Sequence, residues 1–345
     1  MGFEGFPLIV GWELTLACNL RCRHCGSSAA LPRAQELTLE ESLSICDQLP
    51  ELLTQEVDFT GGEPLLKPGW SKIAARLAEL DIHTKVLSNG LLLEPDMVAR
   101  IKDVGIAGVG VSIDGLEATH DRIRGRDGLF RRVVAGIEEV QKADIPVSVI
   151  TTVNALNIDE LDELLLFLQS VGVNTWQVQP IFPLGRGLAS DLQLSGEAYR
   201  QLGLFVQAQG EAADNGQLAL MPGDSYGYFT ELDTRQPPWR GCSAGVTACG
   251  ITSEGKIKGC LSMPDELVEG DLRQNDLWEI WFHPDSFAYN RRWTPNDLGA
   301  FCQDCDRAID CRGGCSAMSY GATGRFHNDP YCFYAIERGS PYFAG

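Results

Sequence analysis

The stretch Cys18-Asn-Leu-Arg-Cys22-Arg-His-Cys25 decides how this chain reads: three thiols at CxxxCxxC spacing follow directly on the strand-like apolar run Leu8 to Leu16. One loop thereby offers three thiolates to one inorganic cluster. A cubane iron-sulfur cluster has four irons and is usually held by four cysteines, so three ligands from a tight loop leave one iron open for chemistry. The alternative is a structural zinc knuckle. Structural zinc, however, takes four ligands in closed geometry and usually finds a second cysteine pair nearby, and the next thiol here, Cys46, is well along the chain.

With 345 residues and 44% hydrophobic content the chain can bury a large core, and its length suggests one big domain plus a smaller one. No apolar run approaches the ~20 residues needed to span a bilayer, and the N-terminal MGFEGFPLIV lacks the basic segment of a secretory signal. No membrane partner and a cytoplasmic location are therefore expected. Lys and Arg total 28 against 47 Asp and Glu, a net charge of -19 that opposes a phosphate backbone, so no nucleic acid is expected as partner. Twelve cysteines without a signal peptide argue for metal or cluster ligation over disulfides. Three lie at the start, Cys46 stands alone, and eight lie between Cys242 and Cys332, which marks two cluster-bearing regions around a cysteine-poor middle.

From Leu8 to about Pro180, short apolar runs alternate with helical segments, the signature of βα units on a parallel sheet. Six strands are predicted, near Leu8 to Leu16, Val57 to Thr60, Thr84 to Leu87, Gly108 to Ile113, Pro146 to Val153 and Thr175 to Gln179. The first helix opens on a capping box at Thr38 and Glu41 and carries a stripe of Leu39, Leu43, Cys46, Leu49 and Leu53. Cys46 on that stripe is read as a small hydrophobe of the core. A later helix repeats the pattern at Leu161, Leu164, Leu165 and Leu168. In parallel β/α barrels reactive groups lie at the C-terminal strand ends, which points to the cysteine loop, to Gly61-Gly62-Glu63-Pro64, to Ser88-Asn89-Gly90, and to Ser112-Ile-Asp114-Gly115 with His120-Asp121-Arg122-Ile-Arg124 behind it. Paired glycines let a backbone pass close to a ligand, although an ordinary turn has the same composition. Asp114 and His120 suit capping and loop-fixing roles.

Between Ile181 and Arg240 the sequence reads as a Gly- and Pro-containing bridge with one helix near Gly196 to Asn215 and an irregular stretch with Pro222, Pro237 and Pro238. Beyond it, Cys242, Cys249 and Cys260 bracket a predicted hairpin, Val246 to Ile251 and Lys256 to Gly259, turned at Ser253-Glu-Gly255. Then come Cys302, Cys305, Cys311 and Cys315 at x2, x5 and x3 spacing, and finally Cys332. Two zinc ribbons of four cysteines each are a chemically sound alternative for this region. Trp278 and Trp281, three apart, share a predicted helical face for packing onto the lobe.

The cysteine loop resembles that of the radical SAM superfamily, whose open iron chelates S-adenosylmethionine (SAM), and the resemblance extends over most of the chain. The position before the third cysteine is usually aromatic and lies against the adenine; here it is His24, whose flat ring can also stack. The resemblance implies contacts to SAM from Gly61, Gly62, Glu63 and Pro64, with Ser88, Asn89, Ser112, Asp114 and Arg124 as further partners, Ser112 and Arg124 near its carboxylate and ribose. The C-terminal cysteines resemble the SPASM extension of many radical SAM maturases. Carried over, Cys242, Cys249, Cys260 and Cys315 would hold one auxiliary 4Fe-4S cluster, and Cys302, Cys305, Cys311 and Cys332 a second.

The implied fold is an α/β partial (β/α)6 TIM-like barrel over residues 1–185, a bridging segment over 186–240 and a SPASM lobe over 241–345. The implied activity is reductive cleavage of SAM to a 5'-deoxyadenosyl radical that abstracts hydrogen, with three 4Fe-4S clusters and a flavodoxin or ferredoxin type reductant. The expected substrate is a ribosomally made precursor peptide. With seven residues before Leu8, leader recognition is expected from a separate leader-peptide-binding protein. A sulfatase-type maturase is disfavoured because Leu261 stands where that branch has a catalytic aspartate; a small-molecule or tetrapyrrole-modifying enzyme and a non-catalytic iron-sulfur electron carrier are further alternatives.

Overall fold

A computed structural model describes residues 5–189, 191–212, 218–223, 239 and 241–339. Six parallel strands run in chain order across one sheet: β1 (Ile9–Thr15), β2 (Glu56–Gly61), β3 (His83–Ser88), β4 (Gly108–Ser112), β5 (Val147–Val153) and β6 (Thr175–Pro180). Each lies within two residues of its predicted place. The helices between them are α1 (Leu39–Gln48), α2 (Trp70–Glu79), α3 (Pro95–Asp103), α4 (Glu117–Arg124), α5 (Leu129–Lys142) and α6 (Leu161–Ser170). The architecture is an α/β partial TIM-like barrel carrying a C-terminal lobe.

Local signals account for these elements. At α1, Thr38 accepts from the Glu41 backbone N–H and Glu41 accepts from that of Thr38, which closes the capping box. Cys46 is fully buried in the core. Leu53 departs from the predicted stripe: Pro50 ends the helix, Pro50–Leu52 tightens into a 3-10 turn, and Leu53 turns left-handed (φ 55°) and is exposed while Leu52 is buried instead. In α6 the Leu161, Leu164, Leu165 and Leu168 face is buried as predicted.

The predicted bridge contributes more than a helix. After α7 (Gly196–Ala212), β7 (Ala219–Pro222) pairs in parallel with β6, so the sheet gains a seventh parallel strand. Pro237 and Pro238 lie outside the described residues. The predicted hairpin forms as β8 (Ala248–Ile251) and β9 (Lys256–Lys258), and β8 pairs in parallel with β1 from Ile9↔Ala248 to Trp12↔Ile251. With β10 (Gly270–Asp271) the sheet reads β10-β9-β8-β1-β2-β3-β4-β5-β6-β7. Lobe and barrel therefore share one hydrogen-bonded sheet, and the strand that enters the cysteine loop lies at its junction.

The two tryptophans of α8 (Leu277–Phe282) diverge. Trp281 is fully buried against Phe287 and donates to the Gly5 carbonyl at 2.9 Å, whereas Trp278 is 45% exposed. Three residues along a helix turn the side chain by about 60°, enough here to cross the edge of the buried face. No helix among the described residues is long and apolar enough to cross a membrane.

Candidate functional site: a three-thiol loop at the barrel end

The cysteine loop is fixed by backbone contacts before any ligand is considered. Cys18 N–H donates to the Ala30 carbonyl, and Ala30 N–H to that of Leu16, each at 3.1 Å. Below it, the Gly62 and Glu63 N–H groups donate to Thr15 and Ala17 carbonyls, both at 2.8 Å. This approach explains the glycine pair: a Cβ on Gly61 or Gly62 would stand 2.2 Å from one of those carbonyl oxygens, and Gly61 has φ +131°. The glycines bring the backbone against the cysteine loop itself.

Each of the three sulfurs has an N–H group directed at it. The Asn89 side-chain amide reaches Cys18 Sγ at 3.8 Å, Arg124 Nη1 reaches Cys22 Sγ at 3.9 Å, and Ala29 N–H reaches Cys25 Sγ at 3.4 Å. Donors of this kind stabilise thiolates and tune clusters held by them. Burial pushes the Cys18 and Cys22 thiols up, so a metal must supply the charge that ionises them. Three thiols on one loop, each with such a donor, fit an iron-sulfur cluster. Among the described residues no three His, Cys, Asp or Glu side chains converge as ligands of a single ion do.

Behind the loop lies a buried charge relay. Arg124 Nε donates to Asp114 Oδ2 at 2.7 Å, and His24 Nε2 lies 3.1 Å from the same oxygen. Asp114 Oδ1 accepts from Thr152 N–H at 2.9 Å, and its carbonyl accepts from Asn157 at 3.0 Å, which ties the ends of β4 and β5 together. Burial alone would raise the Asp114 carboxyl, but Arg124 foremost, with His24 and His120, holds it well below the usual range. His120 Nδ1 accepts from Asp114 N–H at 3.1 Å, and burial lowers the imidazole to about 4. Ser112, at the end of β4, is partly buried.

Glu63 is fully buried and accepts from Ser88 Oγ (3.0 and 3.1 Å), Asn89 N–H (2.9 Å) and Leu65 N–H (3.3 Å). Burial outweighs these donors and pushes the carboxyl up to about 7. The folded state therefore holds a proton that the unfolded chain has released near 4.3. The stability this confers is full below that value and lost as pH rises toward 7. Glu63→Gln, measured by urea unfolding without SAM, should accordingly gain roughly 3 kcal/mol on the wild type between about pH 4.5 and pH 7. A constant difference would mean that Glu63 is ionised throughout.

Two supports of the loop were not legible in the sequence. Arg186 Nε donates to the Cys22 carbonyl at 2.7 Å, its Nη1 to the Ala29 carbonyl at 3.2 Å, and its backbone N–H to that of Cys25 at 3.0 Å. Glu36 Oε1 accepts from Leu16 N–H and Thr15 Oγ1, both at 2.9 Å. The only local hint was Gly185-Arg186-Gly187 after β6. There Gly185 takes φ +55° with its Cβ position 2.2 Å from the Gly26 carbonyl.

A cleft of about 560 Å³ opens beside this loop. His24, Gly61 and Gln179 line it from the barrel, and Lys258, Leu261 and Asp265 from the lobe. Arg33 joins the walls by ion pairs to both Glu13 (2.8 Å) and Asp265 (2.7 Å), and Ser253 Oγ joins them by donating to Glu13 at 2.7 Å; within the lobe Lys258 lies 3.1 Å from Asp265.

In the lobe, Cys302, Cys305, Cys311 and Cys332 line a single cavity of about 440 Å³ together with Gly313 and Gly314. The other four cysteines lie apart from it. Cys315 donates to Cys242, which lowers the Cys242 thiol and raises that of Cys315. The Tyr289 phenol, raised by burial, also feels Cys242 and Cys260, and Cys249 is buried on β8.

Known proteins resemble this chain. The pattern of the Radical SAM superfamily matches residues 12–168, and that of the SPASM iron-sulfur cluster-binding domain matches residues 242–306. An AdoMet-dependent heme synthase of Methanosarcina barkeri is 32% identical over 95% of this chain and 97% of its own. The chain belongs to the radical SAM superfamily. A mycofactocin maturase, MftC, of Mycolicibacterium smegmatis is 29% identical over 91% of this radical SAM protein and 79% of the relative. Among solved structures, SuiB of Streptococcus suis bound to S-adenosylmethionine superposes with a TM-score of 0.76 at 17% identity, covering 96% of this chain and 76% of that one. That likeness is one of fold. Superfamily and lobe together imply bound SAM and iron-sulfur clusters, for which the three-thiol loop and the four-cysteine cavity are the fitting places.

Proposed function

We propose that this radical SAM protein modifies a ribosomally made precursor peptide, held in the cleft between barrel and lobe, by a net oxidation such as a crosslink. The cluster and SAM supply a carbon-centred radical able to remove a hydrogen atom from an unactivated position. Cys18, Cys22 and Cys25 hold that cluster. Gly61 to Pro64, Ser88, Asn89 and Ser112 surround the place for SAM. Cys242, Cys249, Cys260 and Cys315 hold one auxiliary cluster, and Cys302, Cys305, Cys311 and Cys332 the other.

The observation that carries this reading is the make-up of the cleft. One wall comes from the loop that carries Cys25 and the other from the residues directly after Cys260, so a substrate between them touches both cluster regions. An electron left on an oxidised substrate then has a short way out. The lining mixes carboxylates (Glu13, Asp265, Glu266), cations (Arg33, Lys258) and apolar side chains such as Leu261. That variety suits the alternating amides and side chains of a peptide. Leader capture by a separate small protein and reduction by a flavodoxin or ferredoxin type carrier complete the proposal.

A second reading, a tetrapyrrole-modifying enzyme, is favoured by the full-length similarity to the heme synthase. One experiment separates the two. Reconstituted protein should bind about 12 irons if three cubanes are present. Incubated with SAM, reductant and peptides encoded beside its gene, it should yield a peptide lighter by two hydrogens. Inert peptides, together with conversion of a tetrapyrrole, would decide for the second reading. Iron near four would overturn the lobe assignment.

A further inference from the structure

Among the described residues one arginine and one lysine line the cleft, Arg33 and Lys258, and both hold the same carboxylate, that of Asp265. Its Oδ2 lies 2.7 Å from Arg33 Nη1, and its Oδ1 lies 3.1 Å from Lys258 Nζ and 3.4 Å from Arg33 Nη2. A planar guanidinium edge and an ammonium thus close on one acid group, the arrangement that recognises a carboxylate. The two cations are fixed from behind. Arg33 is held through Nε by Glu13 at 2.8 Å, and Glu13 in turn accepts from Ser253 Oγ at 2.7 Å. Lys258, its side chain 3% exposed, also donates to the Leu261 and Met263 carbonyls at 3.3 and 2.6 Å. The carboxylate between them is the loose member: the Asp265 side chain is 56% exposed, and an ion pair with an exposed partner is weak.

We propose that Asp265 stands in for a carboxylate of the substrate. The substrate's acid group displaces it and takes the Arg33 edge and the Lys258 ammonium, while the Asp265 side chain turns out to solvent. One carboxylate replaces another, so the exchange leaves the charge of the cleft unchanged and repeats the contacts already made. On a chain of net charge -19, an anionic group is repelled except where cations are set to receive it, and in this cleft that place is the Arg33 and Lys258 pair. Arg33 and Lys258 then act as specificity residues. They anchor the substrate at one point and so fix which of its C–H bonds meets the cysteine loop. A carboxylate is common to acidic peptide side chains, a peptide C-terminus and the acid groups of a tetrapyrrole. The inference rests on the reading of this cleft as the substrate site.

The test measures binding without turnover, by equilibrium dialysis of the reconstituted full chain with SAM and no reductant. The probes are the peptides encoded beside its gene, with each acid group free or replaced by its amide, and a porphyrin carboxylic acid beside its methyl ester. One free-acid peptide should bind about tenfold more tightly than its amide counterpart. Arg33→Gln should erase that difference by weakening the acid about tenfold and leaving the amide where it was. Asp265→Asn removes the internal competitor, so the acid should bind about fivefold more tightly than to the wild type, again with the amide unchanged. Peptides that bind equally well as acid and amide, or a preference that survives Arg33→Gln, overturn the inference and leave the peptide reading standing. If instead the peptides fail to bind, and the porphyrin acid is preferred over its ester with the same response to both variants, the inference holds and the peptide reading falls. A wild type that binds neither acid overturns the inference as well. Should Arg33→Gln fail to load iron, Asp265→Asn decides alone: no gain for the acid overturns the proposal.

Discussion

Replacing any one of Cys18, Cys22 and Cys25 with alanine is expected to abolish SAM cleavage outright while removing about a third of the iron, one cluster in three. The three sulfurs belong to one loop, each with its own N–H donor, and no other group of this chain is proposed to leave an iron open for SAM. Variants of Cys302, Cys305 or Cys311 should behave differently. Their sulfurs line a separate cavity in the lobe, so 5'-deoxyadenosine should still form, uncoupled, while product formation fails. Cluster binding is coupled to folding, so iron content and solubility are measured on every variant beside 5'-deoxyadenosine and product. A soluble Cys302 or Cys311 variant that modifies substrate at the wild-type rate would remove the lobe from the chemistry and leave it a scaffold.

Arg124→Ala should be the most damaging change outside the cysteines. It leaves Asp114, fully buried, without its guanidinium, and breaking one partner of a buried pair costs about 3–5 kcal/mol. The same change removes the N–H directed at Cys22 Sγ, so iron should be lost from the N-terminal cluster along with the fall in the urea midpoint. Pairing Arg124→Met with Asp114→Asn should recover much of the stability, because no unpaired charge is then buried. Ser112→Ala should shift the midpoint by less than about 1 kcal/mol and report on SAM affinity instead. If Arg124→Ala keeps wild-type stability and iron but binds SAM poorly, the guanidinium serves the cofactor as the family resemblance implies, and Asp114 is balanced by other means.

Most of the barrel is legible in the sequence. Six strands came from alternating apolar runs and punctuation, the start of α1 from Thr38 and Glu41, and the burial of Cys46 from its place on an apolar stripe. The cysteine motif was likewise legible. These signals act over a few residues: a cap, a period or a loop spacing is set by the chain's own local geometry. Local reading failed where neighbouring rules conflicted, as at Leu53, which follows the helical period but also the break at Pro50, and at Trp278, which lies just over the edge of a buried face.

What joined the two cysteine regions was decided by long-range packing. Nothing near Ala248 announces that β8 will lie in parallel beside β1, or near Arg186 that its guanidinium will hold the carbonyls of Cys22 and Ala29, 164 and 157 residues away. The pairing of Arg33 with Asp265, 232 residues away, likewise required elements distant in sequence to meet. A charged side chain carries no local mark of which opposite charge it will face. Its partner is settled only when the sheet closes around it and water leaves.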